Sequence, residues 1–273
     1  MPSINTNVAA IKARSSLDRV QRDLDTSIAR LSSGKRITRA HDDAAGQAIA
    51  GRMESQIRGL NMAVRHAKDG QSMVDTQEGA LQEVTAIAQR MRELAVQAGS
   101  GVASTADKDY LNLEMTQLIA ELNAIQANTK FNDTTVMSTA YSFYTDIDVA
   151  GTAITVAAGT MAAQALALTI KNVSIGGGAP LSLTSVLTTI DAAIATIANR
   201  RSTLGAASNR FDHVVDNLTN VIANTEAARS RVEDADFAVE TTQLTRNTIL
   251  QQAATSMVAQ ANASKNSILA LIQ

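Results

Sequence analysis

Residues 250–271 read LQQAATSMVAQANASKNSILAL, and the periodicity of that stretch decides the fold. Steps of four and three pick out Leu250, Ala254, Met257, Ala261, Ser264, Ile268 and Leu271, a narrow heptad seam of mostly small side chains. Gln251, Gln252, Thr255, Gln260 and Asn262 fall off the seam and are uncharged hydrogen-bonding residues. One helix cannot bury such a seam alone, so the stretch predicts a partner helix. The start of the chain supplies it: Leu17, Val20, Leu24, Ile28 and Leu31 recur at threes and fours, with Ile4, Val8 and Ile11 ahead of them. The expectation is a chain folded back on itself, its two terminal helices paired as a coiled coil.

Inward from the first helix, Ser32, Ser33 and Gly34 form a helix stop, the glycine suited to a left-handed conformation. Residues 35–43 (KRITRAHDD) are a charged connector in which Asp42 or Asp43 caps the next helix. From Ala44 to Gln97 there is no proline and a sustained apolar repeat that includes Met53, Ile57, Leu60, Val64, Ala67, Val74 and Leu81. At about 1.5 Å per residue this predicts a helix roughly 80 Å long. Gly51, Gly59, Gly70 and Gly79 lie inside it and weaken it locally. Gly99, Ser100 and Gly101 end it, and Ser104 with Asp107 has the spacing of a capping box. Leu111, Met115, Leu118, Leu122 and Ile125 then mark a shorter helix that returns antiparallel.

Residues 130–180 lose charge and gain Thr, Gly, Val and Ile. Tyr141 to Phe143, Ile147 to Val149, Ala153 to Val156 and Leu166 to Val173 read as short strands between turns. The helical repeat returns at Leu183 through Leu187, Ile190, Ile194, Ile197, Leu204, Phe211, Val215 and Ile222, with Gly205 as its one expected breaker. Residues 229–236 (RSRVEDAD) read as a second charged connector. The fold class is mainly α: a long antiparallel helical rod with its terminal helices paired as a coiled coil, and a small β-hairpin region inserted in the middle.

Composition narrows the function. Hydrophobic residues are 45% of the chain but aromatics only 3%, with no Trp, so small side chains pack helices closely without filling a wide interior. That disfavours an enzyme built around an enclosed pocket. A net charge of -2 calls for no nucleic acid partner. The absence of Cys excludes disulfides, thiol catalysis and thiolate metal sites. No apolar run reaches membrane-spanning length, and the start lacks a secretory pattern, which by itself indicates a cytoplasmic protein. His41, His66 and His213 are scattered, and no spacing suggests a nucleophile–base set or an acid pair. Catalytic, metal and cofactor residues are therefore not assigned, and the chain is read as a non-enzyme. At the end of the long helix, Gln89 to Val96 mixes charge and apolarity densely. Either Met91 and Ala95 pack inward while Arg90 and Glu93 pair at the surface, or the stretch is a recognition or subunit-contact surface.

These residues also carry a family likeness. LSSGKRI (31–37), DDAAGQAIA (42–50) and QIRGL (56–60) resemble the amino-terminal signature of bacterial flagellins, and QRMRELAV (89–96) resembles the end of that family's first long helix. ARSRVEDAD (228–236) and ILQQAATSMVAQAN (249–262) resemble its carboxy-terminal signature. The likeness covers residues 3–132 and 184–272. It implies a flagellar filament subunit, extracellular, exported unfolded through the flagellar type III apparatus, which replaces the cytoplasmic assignment. It further implies a homopolymer served by a secretion chaperone and by cap and hook–filament junction proteins, with no nucleic acid and no membrane partner.

By the resemblance, residues 1–39 and 236–273 are the two halves of an inner coiled-coil domain and residues 40–132 the rod helices. Residues 133–181 are a small β insert and 182–235 the rod's return helix, with no substantial outer domain. The assembly seam is Leu17, Val20, Leu24, Ile28, Leu31, Leu250, Ala254, Met257, Ala261, Ile268 and Leu271. Gln89, Arg90, Leu94 and Glu114 match positions the family uses to engage the vertebrate innate receptor TLR5. A hook–filament junction protein and the cytoplasmic rod of a chemoreceptor share long Ala-rich helices. The density of flagellin-type motifs argues against the first, and the β insert and missing membrane span against the second.

Overall fold

The computed structural model describes residues 6–100, 103–137, 139–145, 153–156 and 183–270, with backbone only from 265 onward. Its helices are α1 (Val8–Ser33), α2 (Ala44–Ala98), α3 (Thr105–Asn128), α4 (Leu183–Glu233) and α5 (Phe237–Ala270). Four short strands, β1 (Lys130–Phe131), β2 (Thr134–Thr135), β3 (Tyr141–Tyr144) and β4 (Ala153–Val156), lie between α3 and α4.

The helix ends follow from local chemistry. Asn7 accepts a hydrogen bond from the Ala10 N–H at 3.0 Å to open α1, and Gly34 closes it at φ 69°. Of the two candidate caps for α2 it is Asp43 that works, its Oδ1 accepting from the Gly46 N–H at 2.8 Å. Asp42 folds the connector instead, its Oδ2 accepting from the Thr38 N–H, the Thr38 hydroxyl and the Arg39 N–H at 3.1, 2.9 and 3.0 Å. Ser104 and Asp107 form the full capping box of α3.

Two expectations about α4 are corrected. Gly205 does not break it, and the second connector is shorter than residues 229–236, because the helix continues to Glu233. Arg229, Arg231 and Glu233 are charged, but the stretch includes no glycine or proline, and charge alone does not stop a helix. Asp236 then caps α5, accepting from the N–H groups of Ala238 and Val239 at 2.9 and 3.3 Å.

β1 and β2 form a hairpin that the sequence reading passed over, pairing Lys130 with Thr135 and Phe131 with Thr134. Its two turn residues, Asn132 and Asp133, both have positive φ (50° and 61°), as a two-residue turn matched to strand twist requires. β3 and β4 pair antiparallel, Tyr141 with Val156 and Phe143 with Ile154. Ile147 to Val149 and Leu166 to Val173, also expected as strands, lie outside the described residues.

The chain divides into two compact units, residues 1–57 with 223–273, and residues 58–222. In the first, α1 packs against α5. The face of α1 turned inward is Ala10, Ala13, Leu17, Val20, Leu24, Ser27 and Leu31. That of α5 is Glu240, Leu244, Asn247, Gln251, Ala254, Val258 and Ala261. The expected seam is therefore rotated on α5: Ala254 and Ala261 face inward, whereas Leu250 and Met257 are 42% and 63% exposed, and on α1 Ile28 is 49% exposed. Leu271 and the side chain of Ile268 lie outside the described residues. Three polar ties set that rotation. Arg30 donates to Glu240 and Asn7 to the Ala261 carbonyl, each at 3.0 Å, while Gln251 donates to Gln21 at 2.5 Å. Where the pair begins, the Arg36 N–H donates to the Glu233 carbonyl at 2.7 Å and the Ala235 N–H to the Gly34 carbonyl at 3.0 Å, clasping the two connectors together.

In the second unit α2 and α4 run antiparallel, tied by Gln71–Asp212 at 2.8 Å, Glu78–Arg201 at 2.7 Å and Arg92–Asp191 at 2.7 Å. Between them and α3 lies an apolar core containing Met91, Leu94, Met115, Leu122, Ile190, Ile197 and Phe211. Val136, Ile154 and Val156 of the hairpin region complete it. Phe143 meets Phe211 edge to face, with centroids 5.8 Å apart. Gly70 makes room for that ring: a Cβ there would stand 2.6 Å from Phe211 Cζ.

Candidate functional site

Among the described residues no group of three or more His, Cys, Asp or Glu is placed to hold a metal ion. His41 lies beside Asp42, its Nδ1 3.0 Å from Oδ1, while His66 and His213 are exposed elsewhere. No described helix is long and apolar enough to cross a membrane. The surfaces that stand out are the end of α2 and the outward faces of α1 and α5.

At the end of α2, position in the helical turn sorts the residues. Met91, Leu94 and Ala95 face the core and are almost wholly buried, while Gln89, Arg90, Arg92 and Glu93 are exposed. The reading in which Met91 and Ala95 pack inward while Arg90 pairs with Glu93 at the surface is thus the one observed. Arg90 bridges two helices: Nε donates to Glu114 Oε1 at 2.9 Å, and Nη1 to Glu93 Oε2 at 3.0 Å. The bond to Glu114, then that to Glu93, raises the Arg90 guanidinium above its ordinary pKa, so it is a fixed cation. Asp191 does the same for Arg92. Of the four expected patch residues, Gln89, Arg90 and Glu114 share this surface. Leu94 is corrected: at 0% exposure it offers no surface and instead anchors the helix turn beneath the patch.

The outward faces of the terminal helices carry apolar side chains that stand exposed among the described residues. On α1 these are Val8, Ile11 and Ile28, at 52%, 59% and 49% exposure. On α5, Val239, Ile249 and Met257 are 55%, 61% and 63% exposed, with Leu250 beside them. Sequence reasoning missed Ile249 and Val239 because it chose one heptad phase on α5.

The sequence profile of the bacterial flagellin N-terminal helical region matches residues 4–142, and that of the C-terminal helical region matches residues 187–272. The chain belongs to the bacterial flagellin family. Flagellin FlaB1 of Treponema pallidum is 36% identical over 284 residues, and a flagellin of Halalkalibacterium halodurans 37% over 279, each alignment covering 99% of both chains. With flagellin A of Vibrio cholerae, 32% identical, the alignment runs over 377 positions, so that relative carries segments this 273-residue chain does not have. The crystal structure of Bacillus cereus flagellin superposes with a TM-score of 0.50 at 29% identity, covering 60% of this chain and 94% of that one. Family membership makes the chain a structural subunit of the flagellar filament, the extracellular polymer that flagellins form.

Proposed function

We propose that this flagellin builds its filament by coupled folding and assembly of its terminal helices. The observation that carries the reading is the uncovered apolar surface on both members of the α1–α5 pair, from Val8 and Ile11 to Ile249, Leu250 and Met257. Their inward faces mix a few leucines and valines with small or polar residues such as the half-buried Ala10, Ala13 and Ala254 and the buried Ser27 and Asn247, and so thin a seam offsets only part of the entropy lost on ordering two helices. A second copy of the chain covers the outward residues and supplies the missing burial. A contact between unlike surfaces that does not close on itself repeats into an open helical polymer. Leu17, Val20, Leu24, Leu31, Ala254 and Ala261 then hold the pair together, while Ile28, Leu250 and Met257 make the contacts between subunits. In this arrangement residues 1–39 and 236–273 are the inner domain and 40–132 and 182–235 the helices around it.

A chain whose ends fold only on assembly suits unfolded export through the flagellar type III apparatus. A secretion chaperone shields α5 before export, a cap protein guides the subunit into place, and junction proteins link filament to hook. Arg90 and Glu114, held by their ion pair above Leu94, form the surface for TLR5 with the exposed Gln89 beside them. An Arg90→Ala chain that signals like the parent in a receptor reporter assay excludes that role. Seeded polymerisation followed by electron microscopy tests filament growth, comparing the full chain with one lacking residues 240–273. Long tubes from the full chain only are expected. Persistent monomers from both under all seeding conditions would contradict the reading.

A further inference from the structure

The α1–α5 pair is polar at positions where a stable coiled coil carries leucine. Glu240 and Asn247 are each 8% exposed and Ser27 5%. Arg30 Nη1 donates to Glu240 Oε1 at 3.0 Å, and the carboxylate side chain keeps only 10% exposure. Arg30 Nε is buried with no hydrogen-bond partner among the described residues, so Glu240 is what holds this guanidinium in place.

The apolar residues between the helices define an alignment only weakly. Ala10, Ala13, Leu17, Val20, Leu24 and Leu31 on α1, and Leu244, Ala254, Val258 and Ala261 on α5, repeat at heptad spacing. A slide of one heptad sets Leu17 where Leu24 stood and Leu24 where Leu31 stood, so much of the apolar contact is kept. The same slide separates Glu240 from Arg30 and strands both charges. A partly buried carboxylate without its cation is far more costly than a lost Ala–Val contact, and fixing register is the best-attested use of such a group. The tie between Gln21 and Gln251 is broken by the same movement.

We propose that Arg30 and Glu240, with Gln21 and Gln251 behind them, are the register-determining residues of the terminal helix pair. They select the alignment in which the outward apolar residues of α1 and α5 stand at the right height to meet a second copy. Only that last consequence rests on the filament-assembly reading.

The chain has no cysteine, so introduced pairs report register without background. Gln21→Cys with Gln251→Cys captures the native alignment, and Gln21→Cys with Leu244→Cys or Val258→Cys captures a one-heptad slide either way. The ratio of native to shifted cross-link is measured in the full-length chain under mild oxidation, which traps the helix pair whenever it forms, transiently in the monomer or lastingly in an assembly. Arg30→Glu, which sets two carboxylates together, lowers that ratio by about tenfold, less than a fully buried pair would lose because Arg30 keeps water on one side. Adding Glu240→Arg restores it. A ratio untouched by Arg30→Glu, or not restored by the exchange, overturns the proposal. Seeded growth of the same charge variants, with the native glutamines kept, follows the cross-link ratio. A parent chain that never grows from seeds while the ratio behaves as expected removes the assembly reading and leaves the register assignment standing.

Discussion

At the residue scale, two glycines of the same helix have opposite meanings. Gly70 lies against Phe211, where a Cβ would approach the ring to 2.6 Å, whereas nothing stands within 4 Å of a Cβ at Gly79. Gly79→Ala therefore raises stability by about 0.5–1 kcal/mol through helix propensity alone. Gly70→Ala gains the same propensity but overpacks the core, a cost of roughly 1–3 kcal/mol that outweighs the gain. Urea unfolding midpoints that move in opposite directions for the two variants are the expected result.

Asp42 gives a second prediction at this scale. The Thr38 hydroxyl first, then the Arg39 and Thr38 N–H groups and the nearby His41, hold its carboxyl below the ordinary value of 3.8, against the opposing effect of partial desolvation. A depressed folded-state pKa stabilises the fold above the ordinary value, and that stability is lost as pH falls through the folded value. The difference in thermal midpoint between the parent and Asp42→Asn is thus full near neutral pH. It shrinks below about pH 4.

At the element scale, the capping box of α3 is the most local device in the fold. Ser104 accepts from the Asp107 N–H at 3.2 Å and the Asp107 carboxylate returns to the Ser104 N–H at 2.9 Å. Ser104→Ala should cost about 1 kcal/mol, read from chemical unfolding of the full chain. The Arg92–Asp191 pair between α2 and α4 has both side chains about half exposed, so Arg92→Ala costs under about 1 kcal/mol in the same assay.

What the sequence made legible was what depends on neighbours along the chain. The stop at Gly34, the length of α2, the α3 capping box and β4 at Ala153 to Val156 were all readable there. The misread features depend on partners far away in sequence. Two heptad phases on α5 are both compatible with its composition, and the choice between them rests on Arg30 and Gln21 in α1. Leu94 entered the candidate patch by family resemblance alone, and the turn of α2 buries it against the core. The Asn132–Asp133 turn went unseen because its strands are two residues each, too short to show alternation.

At the scale of the whole molecule, the two compact units are stabilised in different ways. The unit of residues 58–222 has a contiguous core of large side chains, including Met91, Leu94, Met115, Leu122, Ile190 and Phe211 at 0–1% exposure. The unit of residues 1–57 and 223–273 pairs two long helices through a thin seam in which Leu17, Leu24 and Leu244 alternate with alanines, a buried serine and polar ties, and leaves further large apolar residues such as Ile11, Ile249 and Met257 exposed. That contrast supports the proposal that the terminal helices fold only when a second copy covers them. Amide hydrogen exchange read by mass spectrometry, on monomer and on assembled filament, tests this most directly. Coupled folding predicts fast exchange through residues 8–34 and 240–264 in the monomer and strong protection there in the filament, with α2, α3 and α4 around Phe211 protected in both. Strong protection of the terminal helices in the monomer would contradict it.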